Sequence, residues 1–340
     1  KLIKPYGFLV VCFTKARVLN MFGMARSKCQ EDDLCNPGDG KKTVEASVIV
    51  PTYNCGAYIR DAVNSVFKQT FQDYEIVIID DGSTDNTKEL LAPYLKGEKI
   101  RYFYQKNKGL PGARNTGIRL ARGTYILCLD ADDELAPTAI QKLVESVKSH
   151  NAQFVISDIY RVENGISEVQ KAILPSQDPF LDVFKSKAYF RSCFYTKEIL
   201  QKIGMYDEKQ KYYEDVELYL RLFEKKAAYS YVAEPLYIYK IRNNSITKQS
   251  KRKRNFFYME QLYKKHHKPL ADKGGRDIRS YYAHLMWRLA SDYFFKAGSL
   301  VGMLRCLCES IRYDHSILKA YIVKVSGVNK SMHHSSSEQL

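Results

Sequence analysis

Three short apolar runs, each closing on polar residues, constrain this chain more than any other feature. Ser47–Val50 (SVIV) meets Pro51-Thr52-Tyr53-Asn54; Glu75–Ile79 (EIVII) meets Asp80-Asp81; Thr124–Leu129 (TYILCL) meets Asp130-Ala131-Asp132-Asp133. Runs of this length bounded by turn residues read as buried strands. Between them Ile59, Ala62, Val63, Val66 and Phe67 recur at helical spacing, a second helix is expected through Leu90-Leu91, and a third over Gly112–Ala121. Arg101–Tyr104 and Phe154–Ser157 add two further strands, and Pro137 stands at a fourth helix start. Strands alternating with helices give an α/β fold with a mostly parallel sheet. In such sheets ligands sit beyond the carboxyl ends of the strands, so the three polar groups must converge in space.

Ordered structure is expected from about Val44, after an N-terminal extension and linker over 1–43 that is partly disordered. Residues 44–247 form the α/β domain, 248–330 a basic α-helical region and 331–340 a polar, disordered tail. The 340 residues carry 53 Lys and Arg against 38 Asp and Glu, a net charge of +15. The charge is uneven: 31–239 is slightly acidic, while 240–288 holds 14 basic and three acidic residues. Nucleic acid, anionic lipid or an acidic glycan would each suit such a surface. No RRM, KH or helix-turn-helix pattern accompanies it, so nucleic acid is not expected. A nucleic-acid-binding module built on 248–268, where aromatic and basic residues mix, stays as a competing reading.

No apolar run approaches the roughly 20 residues needed to cross a bilayer. The stretch around Phe8–Phe13 has the basic flanks of a signal peptide but no small-residue cleavage site; an upstream extension or a membrane-surface segment fits as well. Eight cysteines at 12, 29, 35, 55, 128, 193, 306 and 308 form no CxxC pair, which points to a reduced, cytoplasmic compartment.

The strand ends carry the chemistry. Asp130 and Asp132, two residues apart, are hard oxygen ligands suited to Mg²⁺ or Mn²⁺ held together with a diphosphate; an acidic surface loop is the plain alternative. Asp80-Asp81 is either a polar turn or an acceptor for a base or ribose, and Tyr53 either stacks on a base or is one of 26 tyrosines. In the Gly-rich stretch Asn107–Gly117, Arg114 either forks onto a ribose, phosphate or carboxylate of a ligand, or ties down Asp80 or Asp130. Glu214-Asp215 opens a helical stretch, where acids suit the helix dipole.

Taken in order, VIVPTYN at 48–54, DDGSTDNT at 80–87, NKGLPGARNTG, DADD at 130–133, IGMYDE at 203–208, YEDVELYLR at 213–221 and RNNSIT at 242–247 resemble the family 2 glycosyltransferases of the GT-A fold. The resemblance covers about 44–247. It implies an inverting transferase that takes a sugar from a nucleotide diphosphate sugar, usually UDP-linked, to a hydroxyl of a glycan or lipid-linked acceptor, in cell-surface polysaccharide synthesis. Pro51, Thr52, Tyr53, Asp81, Arg114 and Asp130 would line the nucleotide sugar. Asp132, helped by Asp130, would hold the metal; Asp215 would be the general base, with Glu214 beside it. The protein would be cytoplasmic and peripheral on the inner face of the membrane, with 240–288 against anionic lipid. A sugar nucleotidyltransferase is the competing enzyme, and VIVPTYN is not its Gly-rich loop.

Overall fold

The computed structural model describes residues 43–176, 178–184, 190–242, 253–295 and 298–314. Expectations for residues 1–42 and 331–340, and for Asn243–Thr247 and the Lys251-Arg252 pair, lie outside these. The described residues all belong to one compact unit.

The chain runs β1 (Ala46–Thr52), α1 (Ile59–Phe67), β2 (Tyr74–Asp80), α2 (Thr87–Leu91), β3 (Ile100–Tyr104), α3 (Leu110–Leu120) and β4 (Tyr125–Cys128). It continues through β5 (Glu134–Leu135), α4 (Ala139–His150), β6 (Phe154–Glu163), β7 (Ile166–Gln170), α5 (Pro179–Phe184), β8 (Arg191–Thr196) and α6 (Lys197–Lys202). Last come α7 (Glu214–Glu224), β9 (Tyr229–Ile241), α8 (Lys253–Phe295) and α9 (Leu300–Tyr313). The five strands and the five helical stretches read from the sequence before residue 248 are present, with ends displaced by a few residues.

The sheet order is β3-β2-β1-β4-β8-β6-β9-β5, with β7 beside β6. Its first four strands are parallel, and Thr52 lies opposite Asp80, Asp80 opposite Tyr104 and Ile49 opposite Cys128. The polar residues that follow these strands therefore emerge at one edge. Pro51, expected to end the first strand, lies inside it opposite Ile79. Proline lacks only its own N–H, and a strand end tolerates that loss. Antiparallel β8 then separates β4 from β6, a strand unseen in the sequence because Arg191–Thr196 has no bounding turn signal. β6 runs on past Ser157 to Glu163, parallel to β9, with irregular register at Asp158 where Pro235 enters the partner strand.

Alternation along the strands produces two cores. Val48, Val50, Ile76 and Ile78 pack with α1 and α4; Ile49, Val77, Ile79 and Ile126 pack with α3, α6 and α7. Phe184 of α5 and Leu262, Tyr263, Tyr282 and Met286 of α8 continue the second core. The C-terminal helices thus share a core with the sheet. Among the described residues no helix is long and apolar enough to cross a membrane.

Candidate active site at the carboxyl edge of the sheet

The first two strand-end loops are laced together. Asp81 N–H donates to the Thr52 carbonyl at 2.8 Å, Asn54 N–H to Ser83 Oγ at 3.0 Å, and Thr84 N–H to Asn54 Oδ1 at 2.8 Å. Asn54 adopts a left-handed backbone (φ +53°), which asparagine tolerates better than most residues. The side chain of Tyr53 is left 51% exposed above this edge, and Thr52 and Pro51 are buried beneath it. Asp80 faces inward, accepting from Tyr102 Oη at 2.6 Å and Ser83 N–H at 2.7 Å.

Asp81 is 3% exposed and organises the loop before α3. Its Oδ1 accepts from Gln105 Nε2 at 2.7 Å and Lys108 N–H at 2.8 Å, and its Oδ2 from Gly109 N–H at 2.8 Å. Gly109 sits at φ +81°, a turn only glycine makes cheaply, and starts α3.

Arg114 projects from α3 and is 7% exposed. It donates to Asp130 Oδ1 at 2.7 Å and to Glu214 Oε1 at 2.9 Å, and its guanidinium lies 5.2 Å from the centre of the Tyr206 ring. Of the two sequence readings for Arg114, a tie to Asp130 is what its side chain makes. The second partner, Glu214, has no signal in the sequence. Burial pushes the Glu214 carboxyl up to about 7 against the pull of Arg114, and the charges of Asp215 and Asp130 add to the rise.

The acidic loop after β4 is tied at both ends. Asp130 N–H donates to Tyr237 Oη at 3.2 Å, and that hydroxyl donates to Asp133 Oδ2 at 2.8 Å. Asp133 Oδ1 also accepts from Lys240 N–H at 2.8 Å. Asp132 lies between them, half-buried, and its carbonyl accepts from Arg242 at 3.0 Å. Arg242 in turn stacks 3.7 Å over the Tyr58 ring, joining this loop to the start of α1. Burial first, then the nearby Asp132 charge among other groups, raises the Cys55 thiol. The three strand-end groups therefore converge, as the topology required. Arg242 belongs to the RNNSIT stretch, and its contact with the Asp132 carbonyl, 110 residues away in sequence, is visible only in three dimensions.

Asp215 occupies the first turn of α7 next to Glu214, and its Oδ1 accepts from Val216 N–H at 2.8 Å. Among the described residues no group of three or more His, Cys, Asp or Glu is arranged to hold a metal ion. Asp130 and Asp132 are hard oxygen donors, and two carboxylates fit a cation whose remaining ligands are water and diphosphate oxygens.

Comparison with known proteins gives a consistent picture. Residues 47–208 match the family profile of glycosyl transferase family 2. An uncharacterized glycosyltransferase, EpsJ of Bacillus subtilis, is 31% identical over 59% of this chain and 62% of its own length. Chondroitin synthase of Escherichia coli is 42% identical over 32% of this chain and 16% of its own. The chain spans between 40% and 62% of the length of the first three curated relatives it matches. The crystal structure of S. aureus TarS 1–349 in complex with UDP superposes with a TM-score of 0.61 at 19% identity, covering 79% of this chain and 81% of that one. TarS 1–349 has also been solved with UDP-GlcNAc. The likeness to glycosyl transferase family 2 thus spans residues 47–208, and the fold is of the GT-A type.

Proposed function

We propose that this chain is an inverting family 2 glycosyltransferase that moves a sugar from a UDP-sugar to a hydroxyl of a glycan or lipid-linked acceptor in polysaccharide synthesis. The observation that carries the proposal is the gathering of Tyr53, Asp81, Asp130, Asp132, Glu214 and Asp215 at one edge of the sheet. UDP is favoured by the ligands of the TarS structures, and polysaccharide synthesis by the likeness to chondroitin synthase.

Tyr53, half in solvent, offers its ring face to the base. A carboxylate has about four lone-pair sites, and the loop fills three on Asp81, leaving one for the uracil imide N–H. Pro51 and Thr52 form the floor below. Arg114 acts through Asp130 and Glu214 and holds both at fixed positions. Mg²⁺ or Mn²⁺ on Asp132 and Asp130 would neutralise charge on the departing nucleoside diphosphate. Asp215 accepts the proton of the acceptor hydroxyl as that oxygen attacks the anomeric carbon from the face opposite the diphosphate, and the single displacement inverts the centre. The same reading places the enzyme in the cytoplasm, with 240–288 resting on anionic lipid.

Incubation of the protein and a divalent cation with a panel of nucleotide sugars tests the proposal. Release of nucleoside diphosphate, fastest from one UDP-sugar, is expected. Release of pyrophosphate from a nucleoside triphosphate and a sugar phosphate, with no diphosphate from any donor, would overturn it in favour of a nucleotidyltransferase.

A further inference from the structure

The segment that delivers Glu214 and Asp215 is shaped by α8, a helix outside the matched family region. Tyr213, immediately before α7, adopts φ +60°, and no side chain caps the helix there. A bulky aromatic residue in the left-handed region is strained, and such strain persists only where the surroundings enforce it. α8 supplies part of those surroundings, beside Val183 and Phe184 of α5. Buried Gln210 donates from Nε2 to two carbonyls, Tyr212 at 2.7 Å and Tyr258 of α8 at 3.0 Å. The rings of Tyr212 and Tyr258 lie 5.4 Å apart. Tyr213 and Val216 line a 140 Å³ apolar cavity with Leu262 and Tyr263 of α8.

A second grip lies one turn further on. Glu217 is fully buried, and its N–H donates to the Tyr213 carbonyl at 3.0 Å. Its carboxylate accepts from Lys265 Nζ at 2.6 Å and from Arg221 at 2.6 to 3.0 Å, and His266 Nε2 lies 3.3 Å away. Lys265 also donates to Asp207 at 2.6 Å. One lysine thus spans the two ends of the 207–217 segment. None of these contacts touches the loops that carry Tyr53, Asp81 or Asp132.

We propose that the 258–266 stretch of α8 is a positioning element for the base helix: Tyr258, Lys265 and His266 enforce the left-handed turn at Tyr213 and so set the aim of Glu214 and Asp215. This rests on the glycosyl-transfer reading for its effect on turnover, but the structural claim stands apart from it. Sugar transfer becomes sensitive to a contact about 50 residues away in sequence, while nucleotide binding does not.

The test uses the full chain with Lys265→Met, Lys265→Arg and Gln210→Ala. Hydrogen exchange is followed peptide by peptide, UDP affinity by calorimetry and transfer by steady-state kinetics. In Lys265→Met and Gln210→Ala, amides of 207–217 exchange at least tenfold faster while those of β1 and β2 do not change. In both, kcat falls at least tenfold with UDP affinity within twofold of the parent, and Lys265→Arg recovers most of the loss. Unchanged exchange over 207–217 in both variants overturns the proposal. So does UDP affinity falling in step with kcat, or equal acceleration of the β1 and β2 amides in both variants. A parent protein that transfers no sugar defeats the glycosyl-transfer reading alone, and the exchange data still decide this one.

Discussion

Replacing Arg114 by methionine isolates the bridge at the centre of the site. The two contacts, 2.7 Å to Asp130 and 2.9 Å to Glu214, join side chains that are 8%, 25% and 13% exposed. A hydrogen bond to a charged partner is worth about 1.5–3 kcal/mol, and removing one partner of a buried ion pair costs about 3–5 kcal/mol. Glu214 limits the damage because it can take up a proton. Its carboxyl already sits near 7 against an ordinary 4.5, raised by burial and lowered by Arg114, so loss of Arg114 raises it further. The sign follows from proton counts. Between pH 4.5 and about 7 the folded chain binds more protons at this group than the unfolded chain, so this group's contribution to stability falls as pH rises through that window. In Arg114→Met the window extends above 7. The expected loss is therefore smallest at pH 5, where Glu214 is neutral with or without the arginine. At pH 8 it reaches about 4 kcal/mol, some 6 °C in Tm for a chain of this size. Arg114→Lys keeps the charge but cannot fork to both carboxylates, and should recover under half of the loss. Urea unfolding at pH 5 and pH 8 measures both variants. A loss in Arg114→Met under about 0.5 kcal/mol at pH 8, or one independent of pH, would refute the bridging role.

Four further outcomes follow from the site and the sheet. Asp215→Asn should lower kcat by roughly 10²–10⁴-fold with UDP affinity within twofold, and near-normal turnover would remove Asp215 from the base role. Asp132→Ala should abolish the gain in UDP affinity on adding Mn²⁺ while leaving metal-free binding alone, as calorimetry with and without the ion would show. Tyr53→Ala should weaken UDP binding by about 1–3 kcal/mol, the range of a base on an aromatic face, and an unchanged Kd would exclude stacking. Gly123→Ala should destabilise the fold by about 1–3 kcal/mol, because the added Cβ would lie 2.6 Å from Ser47 N and 2.7 Å from Ala46 C in the backbone of β1; equilibrium unfolding reads it directly.

The parallel half of the fold was legible because its signals are local. Apolar runs such as EIVII announce buried strands, and Asp80 and Asp130 announce where they stop. The antiparallel half was not, since β8 pairs at long range and β9 carries Pro235 inside a strand of mixed pattern. At the site, Tyr53, Asp81, Asp132 and Asp215 could be chosen from motif order alone. The partners of Arg114 were half visible: Asp130 stands 16 residues on, while Glu214 stands 100 residues away with nothing between to link them. The grip of Lys265 on Asp207 and Glu217 had no sequence signal, because a lysine on a basic helix looks like any other exposed charge.

The span of the Arg114 bridge also has a kinetic meaning. Closing a loop of 100 residues costs about 1.6 kcal/mol more in chain entropy than closing one of 16. Contact with Asp130 can form as α3 docks on its neighbouring strands, within one βα unit. Contact with Glu214 must wait until β8, α6 and the return to α7 are in place. On refolding, the strand-end cradle should mature early and the Glu214-Asp215 helix should dock late, so that recovery of nucleotide binding precedes recovery of turnover.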